Sequence, residues 1–279
     1  MTTESHVPSQ PRMQRVAGGA RLSVHGRDGR TRLSELYQEG AAKIRMPRGH
    51  ADPLEAVLIN TAGGMTGGDR LSWEIAAGEG TSVVATTQAC EKVYKALADR
   101  AETRVKLSAA SGARIAWLPQ ETIMFDRAAF SRRLDVELAQ DAEALIVEAT
   151  IFGRHAMGET VDSGSFRDRW RVSCGGRLVH AEDFSIGPRI SEMLSRPAVA
   201  GANAAIATVL CISPACEHLV DEARTVLGGQ GAASFWRVGR TGKLLARLCA
   251  ADGYSLRKPL TSLIALLNRQ AGLPKVWSL

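Results

Sequence analysis

Apolar and polar residues alternate along several segments of this chain. The segments 103–107, 134–138 and 170–174 carry an apolar side chain at every second position, with charged or polar side chains between. Successive side chains of a β-strand point to opposite faces, so a two-residue period is typical of strands with one buried face. Other short apolar-rich segments add nine predicted strands, at 21–25, 41–46, 56–60, 71–76, 81–86, 114–118, 144–151, 178–184 and 205–211.

Glycine-rich breaks separate many of the predicted strands. They lie at 63–64, 67–68, 78–80 and 175–176. Short strands at intervals of about ten residues, with turn signals between them, favour an antiparallel sandwich or a rolled sheet.

Helical patterns are few and lie mostly towards the C-terminus. Segment 217–227 groups its apolar residues on one side and stops at a glycine pair. Segment 256–267 has a similar apolar face, with a proline in its first turn. A shorter helix is predicted at 191–195, and 88–97 suits either a helix or a strand. The sequence therefore predicts a mainly β fold of the β-rich α+β type.

No linker divides the sequence. Residues 1–19 are polar, contain two prolines and have the composition of a disordered tail. We therefore predict one domain over residues 20–279. The length of 279 residues is compatible with this, since all-β folds of about 200–250 residues often form single domains.

The composition is ordinary for a soluble globular protein, with 45% hydrophobic and 23% charged residues. No apolar run approaches the roughly 20 residues that span a bilayer, and the N-terminal segment lacks the apolar core of a signal peptide. The five cysteines are odd in number, which argues against a disulfide framework. These features predict a cytoplasmic protein without a membrane segment.

The formal net charge of +6 raises the question of a nucleic-acid partner. The basic residues, however, are dispersed and usually stand beside acidic ones, as in 132–137 and 166–169. No basic block is interleaved with aromatic residues, so we expect no nucleic-acid partner. The positive excess is compatible with an acidic protein partner, and equally with a plain basic surface.

The richest local feature is a run with four glycines in six positions, namely Gly63, Gly64, Gly67 and Gly68. A phosphate-binding loop would continue with Gly-Lys-Ser/Thr, whereas this run continues with Asp69 and Arg70. The segment that follows has a strand pattern rather than the helix of a dinucleotide-binding motif. A tight turn between strands, in which Asp69 accepts hydrogen bonds from turn amides, is the local interpretation.

Segment 117–126 places a carboxylate at an apolar junction. Trp117 and the proline after Leu118 mark the end of a strand, and Ile123 and Phe125 point to one face. Burial of Glu121 is costly unless its carboxylate is paired or meets a cation. A salt bridge to a nearby arginine is the simpler of these two interpretations.

Segment 152–159 combines Arg154, His155, Met157 and Glu159, which are potential metal-binding or catalytic groups. Its spacing does not match a zinc-binding pair such as His-Glu-x-x-His. We expect Arg154 to form an internal ion pair with Glu159 or Glu121, and Met157 to pack in the core.

Cys211 and Cys216 form a Cys-x4-Cys pair that is able to bind a soft metal. A closed structural site takes about four ligands, and the only further candidate nearby is His218. Buried free thiols are therefore the better interpretation. A hydrolase of the Gly-x-Ser-x-Gly type is not indicated, because 162–165 lacks the flanking pattern.

Four segments, 60–71, 86–95, 117–126 and 152–159, together carry a family resemblance. In order, they contain Gly-Gly-x-x-Gly-Gly-Asp, Thr-x-x-Ala-x-x-Lys-Val-Tyr, Trp-Leu-Pro-Gln-Glu-Thr-Ile-x-Phe and Gly-Arg-x-Ala-x-Gly-Glu. The chain resembles the UreD family of urease accessory proteins in these motifs, over about residues 33–268. The resemblance implies a β-rich fold of helically arranged sheets with a few helices.

The resemblance also implies an assembly factor rather than an enzyme. UreD-type proteins form a complex with UreF- and UreG-type accessory proteins and dock on apo-urease. The UreG-type partner hydrolyses GTP and carries nickel, and the UreD-type protein bridges this complex to urease and provides a passage for Ni²⁺. For this chain we expect no permanently bound cofactor and only transient Ni²⁺.

Carboxylates are the groups that we expect to line such a passage. Oxygen ligands hold divalent ions loosely, and transit requires weak sites rather than a closed cage. The candidates from the motifs are Asp69, Glu121, Asp126 and Glu159. The amphipathic segments 217–227 and 256–268 either cover the core of the sheet or offer apolar area to the UreF-type partner.

Two other classes of protein stay open. A stand-alone small-molecule enzyme would use Lys92, Tyr94 or the glycine run, and would bind a nucleotide or another small molecule in isolation. A nickel-binding buffer protein would use Cys211, Cys216 and histidines, and would bind nickel tightly and stoichiometrically.

Overall fold

The computed structural model describes residues 14–47, 52–154, 157–268 and 271–277. The strands within these ranges are β1 (Ala17–Arg27), β2 (Arg30–Gly40), β3 (Ala42–Arg45), β4 (Leu54–Asn60), β5 (Arg70–Ala77), β6 (Ser82–Thr87), β7 (Glu91–Val93), β8 (Ala101–Ala109), β9 (Arg114–Leu118), β10 (Thr122–Met124), β11 (Ala129–Leu138), β12 (Glu143–Phe152), β13 (Ser165–Cys174), β14 (Arg177–Ile186), β15 (Ala205–Ile212), β16 (Gly231–Val238) and β17 (Thr241–Ala250). The α-helices are α1 (Ile190–Ser195), α2 (Val220–Leu227) and α3 (Gly253–Leu267).

The strands form two sheets. Sheet A has the spatial order β14-β13-β11-β8-β5-β1-β2, and sheet B the order β16-β17-β15-β12-β9-β6-β4-β3. The short strands β7 and β10 extend sheet B, because β10 pairs with both β12 and β7. The prediction of a mainly β fold with few helices is confirmed.

The chain passes back and forth between the two sheets. From β5 to β13 it alternates, with β5, β8, β11 and β13 in sheet A and β6, β9 and β12 in sheet B. Neighbouring strands of each sheet in this region pair in parallel. Parallel strands need a crossover connection, and here each crossover is a strand of the opposite sheet. The chain therefore winds as a solenoid-like coil, which confirms the expected helical arrangement.

The prediction of an antiparallel sandwich is wrong for this central region. Alternation reveals a strand but not the direction of its neighbour, and in a coil the hydrogen-bonded neighbour is not the next strand along the chain. Antiparallel pairs do occur at the ends, where β1 pairs with β2, β3 with β4, and β13 with β14. The last strands of sheet B, from β12 through β15 and β17 to β16, are antiparallel as well.

Several boundaries differ from the prediction. Strand β1 begins at Ala17, so residues 17–19 belong to the sheet, while residues 1–13 lie outside the described residues. The ambiguous segment 88–97 contains the short strand β7 and no helix. Helix α2 begins at Val220, three residues later than expected, since 214–219 forms turns.

The main core lies between the two sheets. Its fully buried side chains include Leu22, Ile75, Leu107 and Trp170 from sheet A and Ile115 from sheet B. A second core lies on the opposite side of sheet B, where α2 and α3 pack. Helix α3 turns its buried leucines and Ile264 towards β15 and β17, so this amphipathic segment covers the sheet's own core.

The N-terminus of α3 is capped by Asp252, whose carboxylate accepts a hydrogen bond of 2.7 Å from the backbone N–H of Ser255. This bond satisfies one of the amides that a helix N-terminus leaves free. Within the described ranges, no helix is long and apolar enough to cross a membrane.

Candidate functional site

The four motif segments, far apart in sequence, meet beside β7 and β10. Met65 donates its backbone N–H to Lys92 O at 2.7 Å and accepts one from Tyr94 N at the same distance. The N–H of Glu91 bonds to the carbonyl of Glu121 at 3.0 Å. The fourth segment joins through the N–H of Gly153, which donates to Met124 O at 2.8 Å. We call these joined segments, 60–71, 86–95, 117–126 and 152–159, the motif cluster.

Close approach explains two of the glycines in the run. A Cβ on Gly64 would lie 2.4 Å from the ring of Tyr94, and one on Gly67 would lie 2.1 Å from the carbonyl oxygen of Ala98. Contacts this short are sterically forbidden, so no side chain fits at either position without a shift of the backbone. The hydroxyl of Tyr94 in turn donates to the carbonyl of Gly63 at 3.3 Å.

Asp69 is a buried clamp for this turn. One carboxylate oxygen accepts the N–H of Val16 and the other that of Thr66, both at 2.8 Å. Its side chain is buried, with a residue exposure of 2%. The interpretation of the run as a turn organised by Asp69 agrees with this geometry. Through its bond to Val16, Asp69 also fixes the backbone immediately before β1.

Replacing Asp69 with alanine should destabilise the protein by about 2–4 kcal/mol, because two buried amides lose a charged acceptor. Urea denaturation of the purified variant measures this loss. Thr61→Ala is a suitable control, since its hydroxyl is exposed and bonds a single carbonyl, that of Ala41. A well-folded variant of wild-type stability would contradict the clamp role.

Glu121 is buried in the third motif segment and is paired. The thiol of Cys90 donates to one of its oxygens at 3.3 Å, and Arg257 Nε of helix α3 lies 3.7 Å from the other. The expected arginine partner is therefore present, and it comes from the far end of the chain. Burial, with the adjacent Glu121 carboxylate as a second cause, raises the pKa of the Cys90 thiol to about 12.

The C-terminal residues also pack on this segment. Trp277 is buried and donates its ring N–H to the carbonyl of Leu118 at 3.0 Å. Gln120 donates to Val276 O at 3.1 Å and accepts from Arg257 Nη2 at 3.1 Å. The third motif segment is thus supported by contacts with residues more than a hundred positions away.

Asp126 and Glu159 hold the loop of the fourth segment. Asp126 accepts the N–H groups of Asp162 and Ser163, each at 3.0 Å. Glu159 accepts from Arg154 Nε at 2.7 Å, which agrees with the expected ion pair, and the Arg154 guanidinium lies 4.3 Å from the ring centre of Phe125.

Met157 departs from the expectation of core packing. It is 74% exposed. It lies in the loop that Arg154 and Glu159 hold, outside the core between the sheets. His155 lies outside the described residues.

A buried charge network that sequence reasoning missed lies beneath the motif cluster. Arg132 of β11 pairs with Asp168 of β13 at 2.5 Å and also with Glu148 of β12. Trp117 donates to the same Glu148 at 2.8 Å, and Arg132 donates to the hydroxyl of Thr122 at 3.2 Å. The third motif segment is therefore connected to the centre of the molecule.

This network contains one cation and two carboxylates. Burial raises the pKa of Glu148 to about 7 and the nearby Asp168 adds to the effect, whereas Arg132 and the indole of Trp117 oppose it. The alternation of apolar and polar positions along the strands did contain a sign of this network. Arg132 and Asp168 occupy the phase of the buried apolar positions in their strands, whereas Arg133 occupies the outward phase.

A cavity of about 170 Å³ lies between the two sheets next to this network. Its lining includes three carboxylates, two arginines and one thiol, from Arg132, Glu148, Asp168, Glu182, Arg247 and Cys249. Strands of both sheets contribute, and Glu182 of β14 and Arg247 of β17 meet at its wall.

Glu182 is the carboxylate at the β14 wall of this cavity. Arg247 donates to it at 2.7 Å, and His180 Nε2 lies 3.6 Å from its other oxygen. Burial opposes the ionisation of Glu182, but His180 and Arg247 outweigh burial and hold its pKa below the ordinary value. His180 Nε2 is buried and makes no hydrogen bond.

Cys211 and Cys216 are free and buried, as interpreted from the sequence. The Cys211 thiol donates to Cys216, which lowers the pKa of Cys216 to about 7 despite burial and raises that of Cys211. Across the described ranges, no three His, Cys, Asp or Glu side chains are arranged to hold a metal ion together. The geometry therefore offers pairs of ligands rather than a closed metal site.

Comparison with known proteins assigns the chain to a protein family. The family model described as "UreD urease accessory protein" matches residues 16–278. A protein of Mesorhizobium japonicum named "Urease accessory protein UreD" is 62% identical over 271 residues, which cover 97% of each chain.

Relatives from a second genus agree. "Urease accessory protein UreD 1" of Brucella abortus is 55% identical over 267 residues, covering 96% of this chain and 95% of the relative. "Urease accessory protein UreD 1" of Brucella anthropi is 57% identical over 269 residues, covering 95% of each. These matches extend over nearly the whole chain, and the chain therefore belongs to the UreD family of urease accessory proteins.

Proposed function

We propose that this protein is a non-catalytic scaffold in the cytoplasm that docks a complex of UreF- and UreG-type proteins on apo-urease and assists nickel insertion into the urease active site. Nickel is the cargo of this process and not a resident cofactor. Membership of the UreD family supports a role in urease maturation. The cavity between the sheets supports the passage of a metal cation.

The cavity has the chemistry of a transit site. Carboxylate oxygens and a neutral imidazole are ligands that divalent nickel accepts. Glu148, Asp168 and Glu182 line the cavity, and the unbonded Nε2 of His180 lies beside Glu182. Two weak ligands, completed by water, hold an ion without trapping it.

The cavity suits this role better than the carboxylates of the motif cluster. Both oxygens of Asp69 accept backbone N–H groups, and one oxygen of Asp126 accepts two. Glu121 and Glu159 are each paired with an arginine, as the cavity carboxylates also are. What distinguishes Glu148, Asp168 and Glu182 is that they line one common space between the sheets. In our proposal the four carboxylates of the motif cluster hold the loops in place, while the cavity carboxylates contact the passing ion.

The motif cluster supports the docking part of the proposal. Three apolar side chains in or beside it are exposed: Tyr94 by 39%, Leu97 by 73% and Met157 by 74%. Large exposed apolar side chains grouped in this way are typical of a surface that binds another protein. Docking there would place a partner next to the segment that reaches the buried network.

Replacing Glu182 with glutamine should lower urease activation about tenfold or more, because the cavity loses a charged ligand. Urease activity and bound nickel are measured after co-expression of urease, the other accessory proteins and this chain. Glu192→Gln is the matched control, since Glu192 is an exposed carboxylate of α1 that pairs with two arginines on the surface.

The same cells test the scaffold role. Omission of this chain should abolish nickel loading of urease, and E182Q should still co-purify with the other accessory proteins. Nickel loading at the wild-type level in the absence of this chain would overturn the proposed function. Full activation by a stable E182Q variant would leave the scaffold role intact and overturn the passage through the cavity.

A further inference from the structure

The outer face of sheet A carries a row of arginines. Arg104, Arg133 and Arg169 lie side by side on β8, β11 and β13, in register with one another. We call these three residues the arginine row. On one side the row continues to Ser72 and Gly19, which line a depression of about 310 Å³, and on the other it ends at Asp183.

Positive charge is concentrated on the three strands that carry the arginine row. The outward side chains of β8, β11 and β13 include six cations and only three anions, so these three strands carry an excess of +3. The whole chain has a net charge of +6. Half of the excess therefore lies on one part of one face. The anions are Glu102, Asp135 and Glu137.

The arginine row is only weakly neutralised. Arg104 reaches Glu102 at 3.3 Å and Arg133 reaches Asp135 at 2.6 Å, each within its own strand and on the exposed surface. Arg169 forms no ion pair within the ranges that the structure describes. Like charges on adjacent strands are unfavourable, and exposed ion pairs contribute little, so carboxylates of a partner would replace them readily.

The spacing of the row points to a helical partner. Neighbouring strands are about 4.8 Å apart, so the row extends over about 10 Å. Helix positions i, i+4 and i+7 lie on one face and span about 10 Å along the axis. We propose that the arginine row binds an acidic α-helix of a protein partner, with three carboxylates on one face and its axis across the strands. The three interspersed anions disfavour a uniformly charged nucleic-acid duplex.

This surface is separate from the cavity and the motif cluster, and the proposal does not depend on the proposed function. The test uses the full-length protein and two labelled alanine-based peptides of about 20 residues, long enough to be helical. One peptide carries glutamates at i, i+4 and i+7 on one face, and the other has the same composition with the glutamates distributed around the helix. Fluorescence anisotropy at low ionic strength measures binding.

The patterned peptide should bind wild type, and the triple variant R104Q/R133Q/R169Q should bind it about tenfold more weakly or worse. The matched control, R27Q/R189Q/R240Q, removes three exposed arginines away from the row and should change binding less than about twofold. Circular dichroism and thermal unfolding establish that both variants are folded.

The other outcomes would overturn the proposal. Equal weakening in the two triple variants, or equal binding of the two peptides, would show a response to net charge alone. No binding of the patterned peptide would exclude an acidic helix as the partner. Tighter binding of a duplex DNA probe that depends on the same three arginines would assign the row to nucleic acid instead.

Discussion

Replacing Arg132 with methionine is expected to destabilise the protein by about 3–5 kcal/mol, a large part of the total stability of an ordinary domain. Methionine retains much of the volume and removes the charge. The carboxylates of Glu148 and Asp168 would then remain buried without a cation. Urea denaturation measures the change, with soluble yield as a second measure if the variant is too unstable to purify.

The destabilisation caused by Arg132→Met should increase with pH. The pKa of Glu148 is about 7 in the folded protein against an ordinary value of 4.5, so the folded state holds this proton more tightly than the unfolded state. Its contribution to stability is therefore present below pH 4.5 and is lost as the pH rises through 7. Arg132 lowers the pKa of Glu148. Without Arg132 this pKa should be higher still, so the loss of stability should become larger and extend to higher pH. We expect the difference between R132M and wild type to be smaller at pH 5.5 than at pH 8.

Arg133→Met is the matched control. Arg133 is the next residue of the same strand but points outward, where it pairs with the exposed Asp135. Its replacement should change stability by less than about 0.5–1 kcal/mol at either pH. Similar losses in the two variants, or a pH-independent loss in R132M, would contradict the role assigned to the buried network.

Replacing Trp277 with alanine is expected to cost about 3–5 kcal/mol, the usual range for loss of a buried tryptophan. Its ring is 4% exposed, lies against the guanidinium of Arg257 and donates to the carbonyl of Leu118. Loss of the ring leaves a cavity over the third motif segment and removes a contact of Arg257, the partner of Glu121. Denaturation with urea provides the measurement.

Two further variants test how much of this loss of stability comes from the hydrogen bond of Trp277 and how much from the burial of its ring. Trp277→Phe retains an aromatic ring and loses the hydrogen bond to Leu118, so it should cost about 1–2 kcal/mol. Trp236→Ala removes a tryptophan that is 38% exposed in β16, and should cost clearly less than W277A. If W277A proved no more harmful than W236A, the C-terminal residues would not support the motif segment as described.

Much of the strand content could be predicted because alternation depends on local sequence. The segments around Val105, Val136 and Val172 show it clearly, and all three form strands of sheet A. Strand β2 was not predicted, because its outward side chains are largely charged and few of its inward side chains are buried. Strands β16 and β17 follow a helix and a glycine pair, which hid their pattern among loop signals.

Pairing and long-range contacts could not be predicted in the same way. The alternation gives Arg132 the inward phase of its strand, but only the register of β11 with β13 places it beside Asp168. The partner of Glu121 was expected to be an arginine, yet nothing local selects Arg257 from α3. The cavity depends on three strands of each sheet, so its carboxylates come from segments that carry no common motif.

The coiled path of the chain has a consequence for how the molecule acquires its structure. Arg70, Ala101 and Ala129 begin successive strands of sheet A, so one circuit takes about 30 residues, similar to the repeat length of solenoid proteins. Each circuit packs mainly on the circuits before and after it. Folding is therefore able to spread from a formed circuit to its neighbours in short steps, and loosening at one end need not open the middle, where the buried charges lie.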